Sequence, residues 1–193
     1  MGRPPRCVDP LLLYHAGSRG SNRNPIVWDQ EDYQSLIGEI GRAATRHRWS
    51  LLAWCVMPNH YHLVLQTPRG GFSEGFHQIN GNHSRRTNRR YDRVAHLFEN
   101  RPWEREVADV GRLVGALAYV YRNPVAGNLC ARAEDWPYSS YRETLGLRAA
   151  APWLDVQRVR QLFGRDLAEV RECLDELVHR GHARVSGTGL RSG

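Results

Sequence analysis

The stretch that decides the fold is Trp54–Thr67, WCVMPNHYHLVLQT. His60 and His62 stand two apart, with Tyr61 between them and Leu63-Val64-Leu65 behind. Side chains alternate faces along a strand, so His60, His62 and Val64 share one face and Tyr61, Leu63 and Leu65 the other. Met57-Pro58-Asn59 has turn chemistry, because proline fixes φ and asparagine tolerates tight-turn geometry. A strand over 51–56 is therefore expected to pair back against 61–66. Two imidazoles about 6–7 Å apart on one strand face can converge on one divalent ion. Imidazole suits several transition metals, and added oxygen donors and water admit Mg or Mn. A His-x-His pair by itself is more often an ordinary pair of histidines, so it needs a partner elsewhere in the chain.

At 193 residues with 41% hydrophobic content, the chain has the size and core material of one domain with room for a tail. No apolar run approaches a membrane span, and MGRPPRCVDP lacks the continuous apolar region of a signal peptide. Basic residues number 27 against 20 acids, for a net charge of +7, and every basic residue is arginine. Arginine favours bidentate phosphate contacts, so the excess fits a nucleic-acid partner without establishing one. Cys7, Cys55, Cys130 and Cys173 are far apart with no CxxC spacing, which argues against structural zinc and a disulfide framework. A reducing cytosol is the expected compartment.

Taken in order, residues 1–10 read as a loose leader, and Leu11–Ala16 as a first strand. The polar stretch 17–24 places Arg19 and Arg23 among small residues, as a DNA-backbone loop or a plain solvated one. Pro25–Trp28 is expected to be a short second strand. Asp29 can cap a helix, and Tyr33, Leu36, Ile37, Ile40, Ala44 and His47 follow helical spacing after it. His47 is expected to pack at the end of that helix. A second helix begins near Ser73, with Phe72, Phe76, Ile79 and His83 inward. Its later half carries Arg85, Arg86, Arg89, Arg90 and Arg93, a one-signed run interrupted by hydrogen-bonding residues that suits phosphate contact. The segment 96–107 reads as a loop and a fourth principal strand, which Pro102 keeps at an edge or in a bulge.

The partner of the histidine strand is a helix. Asp109 can cap a run from about Val110 to Arg122, in which Val110, Leu113, Val114, Leu117 and Tyr121 form a narrow apolar stripe. Tyr119 falls about 180° from Val110, on the exposed side, with Asn123 one turn further on. Gly115 and Ala116 leave open space beside the phenol. Pro124 disfavours helical geometry at Asn123, so the helix is expected to end there, and the Asn123 amide can cap locally or offer its oxygen to a metal.

Together, YHAGSRGSNR, WCVMPNHYHLVLQTP, INGNHSRRTNRRY, HLF, ALAYVYRNPVAGNL and DWPYSSYR resemble the single-tyrosine HUH transposase family, most closely its REP-associated tyrosine transposase branch. The likeness runs in family order over roughly residues 11–146. It implies an α+β fold, a ferredoxin-like antiparallel sheet with packed helices, here followed by a small helical C-terminal appendage. It implies that His60, His62 and Asn123 hold Mg or Mn and that Tyr119 is the nucleophile. It further implies single-stranded or hairpin DNA as partner, cut through a 5′-phosphotyrosyl intermediate at repetitive extragenic palindromes. The expected DNA contacts are Arg19, Arg23, Arg85, Arg86, Arg89, Arg90 and Arg112. Many relatives have a Gly-Arg-Phe-Lys-like element after Leu-Phe, whereas this chain has ENRPWE over 99–104. His15 is expected to orient a strand or loop.

The expected divisions are a leader over 1–10, the transposase domain over 11–147 and a helical extension over 148–193, frayed from Gly187 on. Trp136 and Tyr138 are expected to pack on the sheet or the catalytic helix. Val159, Leu162 and Phe163 suggest one C-terminal helix, and Leu167, Val170, Leu174, Leu177 and Val178 a second. Two other readings remain open: a DNA-binding protein without catalysis, and a hydrolase that uses the His pair and a metal-activated water. Monomer and homodimer are both compatible with the sequence. A cytoplasmic, nucleoid-associated location follows from the expected partner.

Overall fold

The structure, a computed structural model, describes residue 9 and residues 11–99, 101–164 and 166–180. The leader and the expected fraying from Gly187 therefore lie outside the described residues, Asp9 excepted. Four strands, β1 (Leu13–Arg19), β2 (Ser50–Val56), β3 (His60–Gln66) and β4 (Trp103–Val107), form one antiparallel sheet in the order β2-β3-β1-β4. The β2–β3 hairpin follows the alternation of the histidine segment. Val56 pairs with Tyr61 and Leu51 with Leu65, and Met57 N–H donates to His60 O at 2.8 Å across the turn. β4 lies at a sheet edge with Pro102 just ahead of it, where the missing N–H is tolerated.

Helices α1 (Gln30–Arg46) and α2 (Phe72–Arg90) cover one face of the sheet. Asp29 caps α1 by accepting from Asp32 N–H at 3.0 Å. Leu36 and Ile40 of α1, with Phe76 and Ile79 of α2, pack on Tyr14, Ala16, Tyr61, Leu63 and Leu65. His47 is the C-cap residue of α1, and its ring leans on Trp49 at a centroid separation of 6.1 Å. Helix α3 (Val110–Ala126) takes the other face, and its Leu113, Leu117, Val120 and Tyr121 pack against Leu52, Cys55 and Val64. The short α4 (Tyr141–Thr144) follows, then α5 (Val156–Phe163) and α6 (Leu167–Asp175), which continues as a π-helical turn over Glu176–Arg180. Val159, Phe163, Val170 and Leu174 join the α3 core, so the C-terminal helices are packed into the body. Trp136 Nε1–H donates to Val56 O at 3.0 Å, and Tyr138 stacks on Tyr33 at 3.7 Å, which makes both core aromatics. The fold is α+β with a ferredoxin-like antiparallel sheet and a helical appendage.

Three expectations are corrected. The first strand is not confined to 11–16: β1 runs over Leu13–Arg19, so Gly17 and Arg19 leave the expected 17–24 loop and pair with His62 and His60. Pro25–Trp28 is not a strand. It straps the hairpin turn, with Ile26 and Val27 N–H groups both directed at Pro58 O, at 2.8 and 3.3 Å. Two donors converging on one carbonyl cannot extend a ladder. Nor does α3 end at Asn123: it runs through Pro124 to Ala126. Proline this late forfeits one helical hydrogen bond, at Val120 O, and the last turn closes by Gly127 N–H to Asn123 O at 2.8 Å and Leu129 N–H to Pro124 O at 2.9 Å.

Candidate active site

The β1–β3 register builds one end of the α3 face. Gly17 pairs with His62 and Arg19 with His60, and residues paired directly across a sheet share a face. Trp103 pairs with Gly17 from the other side. His15, Arg19, His60, His62 and Trp103 thus lie on the surface that α3 crosses, with Tyr119 directed at them. The Tyr119 and His62 rings are 5.4 Å apart and nearly perpendicular, and the His15 ring is 5.4 Å from Tyr119. Tyr119 keeps 55% of its surface exposed, whereas Tyr121 is fully buried and bonded to Thr144 Oγ1 at 2.9 Å. Helical phase alone separates the two tyrosines.

His60 and His62 stand 4.8 Å apart, ring to ring, at 88°. Asn59 Nδ2 donates to Arg23 O at 3.0 Å, so its Oδ1 is the atom that meets His60 Nδ1 at 2.6 Å. That carbonyl oxygen accepts a hydrogen bond from His60 Nδ1–H, which leaves a lone pair on His60 Nε2. Asn123 Nδ2 donates to Tyr119 O at 3.2 Å, which frees its oxygen, and its side chain is within hydrogen-bonding reach of His60. His62 is 3% exposed, and its Nε2 is buried without a partner.

Burial, and then the Arg19 charge, push His60 down to about 4, against the pull of Asn123. His62 is held well below the ordinary histidine range by burial, by His60 and His15, and by Arg19. Both rings are therefore neutral at neutral pH, as ligation requires. Neutral imidazoles and an amide oxygen are a sparse donor set. Such donors are compatible with Mg or Mn, which would complete their coordination with waters and phosphate oxygens. Among the described residues no three His, Cys, Asp or Glu side chains form a metal cage. His15 directs its Nε2 at His62 Nδ1, 3.1 Å away.

The arginines divide. Arg19 stands close enough for its charge to depress both histidines, and Arg23, exposed, holds the Asn59 amide through its carbonyl. Arg112 is exposed at the start of α3, 3.6 Å from Asp109. Arg85, Arg86, Arg89 and Arg90 ride on α2, across the sheet from Tyr119. Arg85 lines a groove between α2 and the 94–104 segment with His77, Asn80 and Asn88, and Arg89 is exposed. Arg86 and Arg90 are engaged within the fold. Arg86 bonds Asp32 at 2.8 Å, Arg90 bonds Asp32 and Asp29 at 2.6 Å each, and both reach Glu31. Burial raises the Asp32 carboxyl pKa, and hydrogen bonds from Tyr91, Arg86, Trp28 N–H and Arg90 more than offset that, leaving it below the ordinary range.

Sequence reading missed Asn59, Trp103 and the placement of His15. The indole of Trp103 lies 4.8 Å from the His15 ring and 5.3 Å from that of His62. It fits only because Gly17 has no side chain: a Cβ there would come within 2.1 Å of Tyr61 O and 2.7 Å of Trp103 Cζ2. Asn59, one residue before His60 in a turn, was the legible signal.

Residues 10–109, just over half of the chain, match the family model described as transposase IS200 like. A REP-associated tyrosine transposase of Escherichia coli K12 is 24% identical over 111 residues, 56% of this chain and 64% of that protein. A Haemophilus influenzae protein assigned to the same group is 29% identical over 101 residues, 47% of this chain and 57% of that protein. The matches thus span about six-tenths of these relatives' length. A solved REP-associated tyrosine transposase bound to a REP hairpin shares the fold, with a TM-score of 0.64 at 20% identity, over 79% of this chain and 90% of that one. The chain belongs to the IS200-like transposase family of HUH tyrosine transposases and is related to its REP-associated members.

Proposed function

We propose that the chain is a metal-dependent DNA nuclease and strand transferase that cuts and rejoins single-stranded or hairpin DNA through Tyr119. The observation that carries this reading is the exposed Tyr119 phenol set 5.4 Å from a buried His62 whose Nε2 has no partner. In the forward step the Tyr119 oxygen attacks a phosphodiester phosphorus, the bond to the 3′ oxygen breaks, and a 5′-phosphotyrosine and a free 3′-hydroxyl result. The phenol proton leaves to solvent at the exposed ring, and the departing 3′ oxygen takes one up. Reversal with a second 3′-hydroxyl rejoins strands with no external energy source. A Mg or Mn ion held by His60, His62 and Asn123 would supply positive charge for the scissile phosphate. Asn59 keeps His60 in the required tautomer, Arg19 adds a fixed cation beside the pair, and Trp103 shields its flank from water.

Hairpins at repetitive palindromes are the proposed substrate, because a solved relative is bound to one. Arg19, Arg23, Arg85, Arg89 and Arg112 are the proposed backbone contacts, with Arg86 and Arg90 contributing mainly through the fold. The test is incubation of the protein and of Tyr119→Phe with labelled hairpins from the DNA flanking the gene, with Mn or with EDTA. Cleavage that needs both Tyr119 and metal is expected. Equal cleavage by Tyr119→Phe would replace this reading with a metal-water hydrolase. Binding without cleavage across such hairpins would replace it with a DNA-binding protein.

A further inference from the structure

We infer that His15 is a positioning residue that fixes the tautomer of His62, turning its Nε2 lone pair toward a divalent metal. The inference deepens the proposed function and rests on its metal site. His15 Nε2 and His62 Nδ1 are 3.1 Å apart, so one donates to the other. Two neutral tautomer arrangements are possible. If His15 donates, His62 carries its proton on Nε2, which is buried and has no acceptor. That arrangement leaves an unpaired N–H in the interior, the costlier outcome for a buried donor. If His62 donates from Nδ1, its Nε2 is a lone pair, and a cation beside it satisfies the atom that the protein leaves bare.

The neighbouring histidine follows the same logic. Asn59 Oδ1 accepts from His60 Nδ1 and frees His60 Nε2. Each ring of the pair thus has an acceptor on its Nδ1 side, an amide for His60 and an imidazole for His62. The β1–β3 register sets the second contact, since His15 pairs with Val64 and so projects beside His62 on the same face. Trp103 packs edge-on against His15 at 4.8 Å and restricts ring rotation. Partners of this kind fix ring orientation, and their loss typically weakens metal affinity by roughly 10–100-fold.

The test compares wild type, His15→Leu, His15→Gln and His62→Ala for Mn binding, read as loss of the free-ion electron paramagnetic resonance signal without DNA. Leucine keeps bulk but has no acceptor, and glutamine restores an acceptor at the same reach. The expected result is Mn affinity about 10–100-fold weaker for His15→Leu, with His15→Gln within a few-fold of wild type. Wild-type affinity in His15→Leu overturns the inference and leaves the metal site standing. Equal loss in both His15 variants also overturns it, since packing then explains the effect. Binding by wild type no tighter than by His62→Ala overturns the metal site and this inference together. Should His15→Leu fail to fold, nitrogen NMR of the wild-type rings decides: His62 protonated on Nδ1 supports the inference, and His62 protonated on Nε2 overturns it.

Discussion

The two faces of strand β3 do opposite work. Toward α1 and α2, Tyr61, Leu63 and Leu65 are fully buried in an apolar layer, and Tyr61 ends in a hydrogen bond to Asn80 at 2.9 Å. Toward α3, Val64 is core, but His62 two residues earlier is a buried ring with an unpartnered nitrogen, and His60 two before that is half-buried beside Asn123. One face is satisfied along its length, while the other passes from core to site within five residues. A strand can therefore be anchored rigidly by one side and carry unmet polar demand on the other. Other buried polar atoms also lack partners, Trp54 Nε1 and His83 Nδ1 among them, but the His62 nitrogen belongs to a ring beside an exposed phenol, which is where a ligand belongs.

Substitutions at each face sharpen that contrast. The largest expected effect is Tyr119→Phe: cleavage and covalent linkage vanish, while the urea midpoint is unchanged, because the phenol is exposed. On the anchoring side, Asp32→Ala strips a fully buried carboxylate from Arg86, Arg90, Tyr91 and Trp28 N–H. The arginines stay 28–29% exposed and keep other acids, so a loss of about 2–3 kcal/mol is expected by urea titration. Gly17→Ala joins the two effects. Its Cβ presses on Tyr61 O and on Trp103, so a loss of about 1–3 kcal/mol should accompany weakened cleavage.

Acid should separate the faces further. His15 is pushed down to about 4 by burial and then by Arg105, and His60 to about 4 as well. Their folded-state values lie below the unfolded one, so the unfolded chain binds protons first as pH falls. The histidine contribution to the stability of the metal-free protein in EDTA is then intact above about 6.5, declines toward 4 and levels off below that, where the loss of the Asp32 ion pairs takes over. His60→Gln should flatten the decline by on the order of 1–3 kcal/mol, as measured by urea midpoints from pH 7 to 4. The smallest effect concerns the α2 arginines. Arg89→Ala should lower the salt slope of single-strand binding by about 0.7 with stability unchanged. Arg86→Ala should lower stability more than the slope.

What the sequence made legible was whatever depends on local periodicity. The period-two pattern placed His60 with His62, and the 3.6-residue pattern separated Tyr119 from Tyr121. The Asp29 and Asp109 caps carried their own signatures. What stayed hidden depends on long-range register. His15 reaches His62 only through the β1–β3 pairing, and Trp103 enters the site only because Gly17 faces it. Arg86 and Arg90 looked like phosphate ligands because their acids lie on α1, more than 50 residues away in the chain. Pro124 misled for a different reason: the bias of the residue before a proline away from helical geometry is overridden at Asn123, in the last turn of a packed helix.

The central claim is that Tyr119 becomes covalently joined to DNA, and one measurement addresses it directly. The protein is incubated with Mn and a labelled hairpin, denatured, digested with protease and analysed by peptide mass. A nucleotide-bearing peptide that contains Tyr119 is expected, absent with EDTA and absent in Tyr119→Phe. Cleaved hairpin with every Tyr119 peptide unmodified would contradict it.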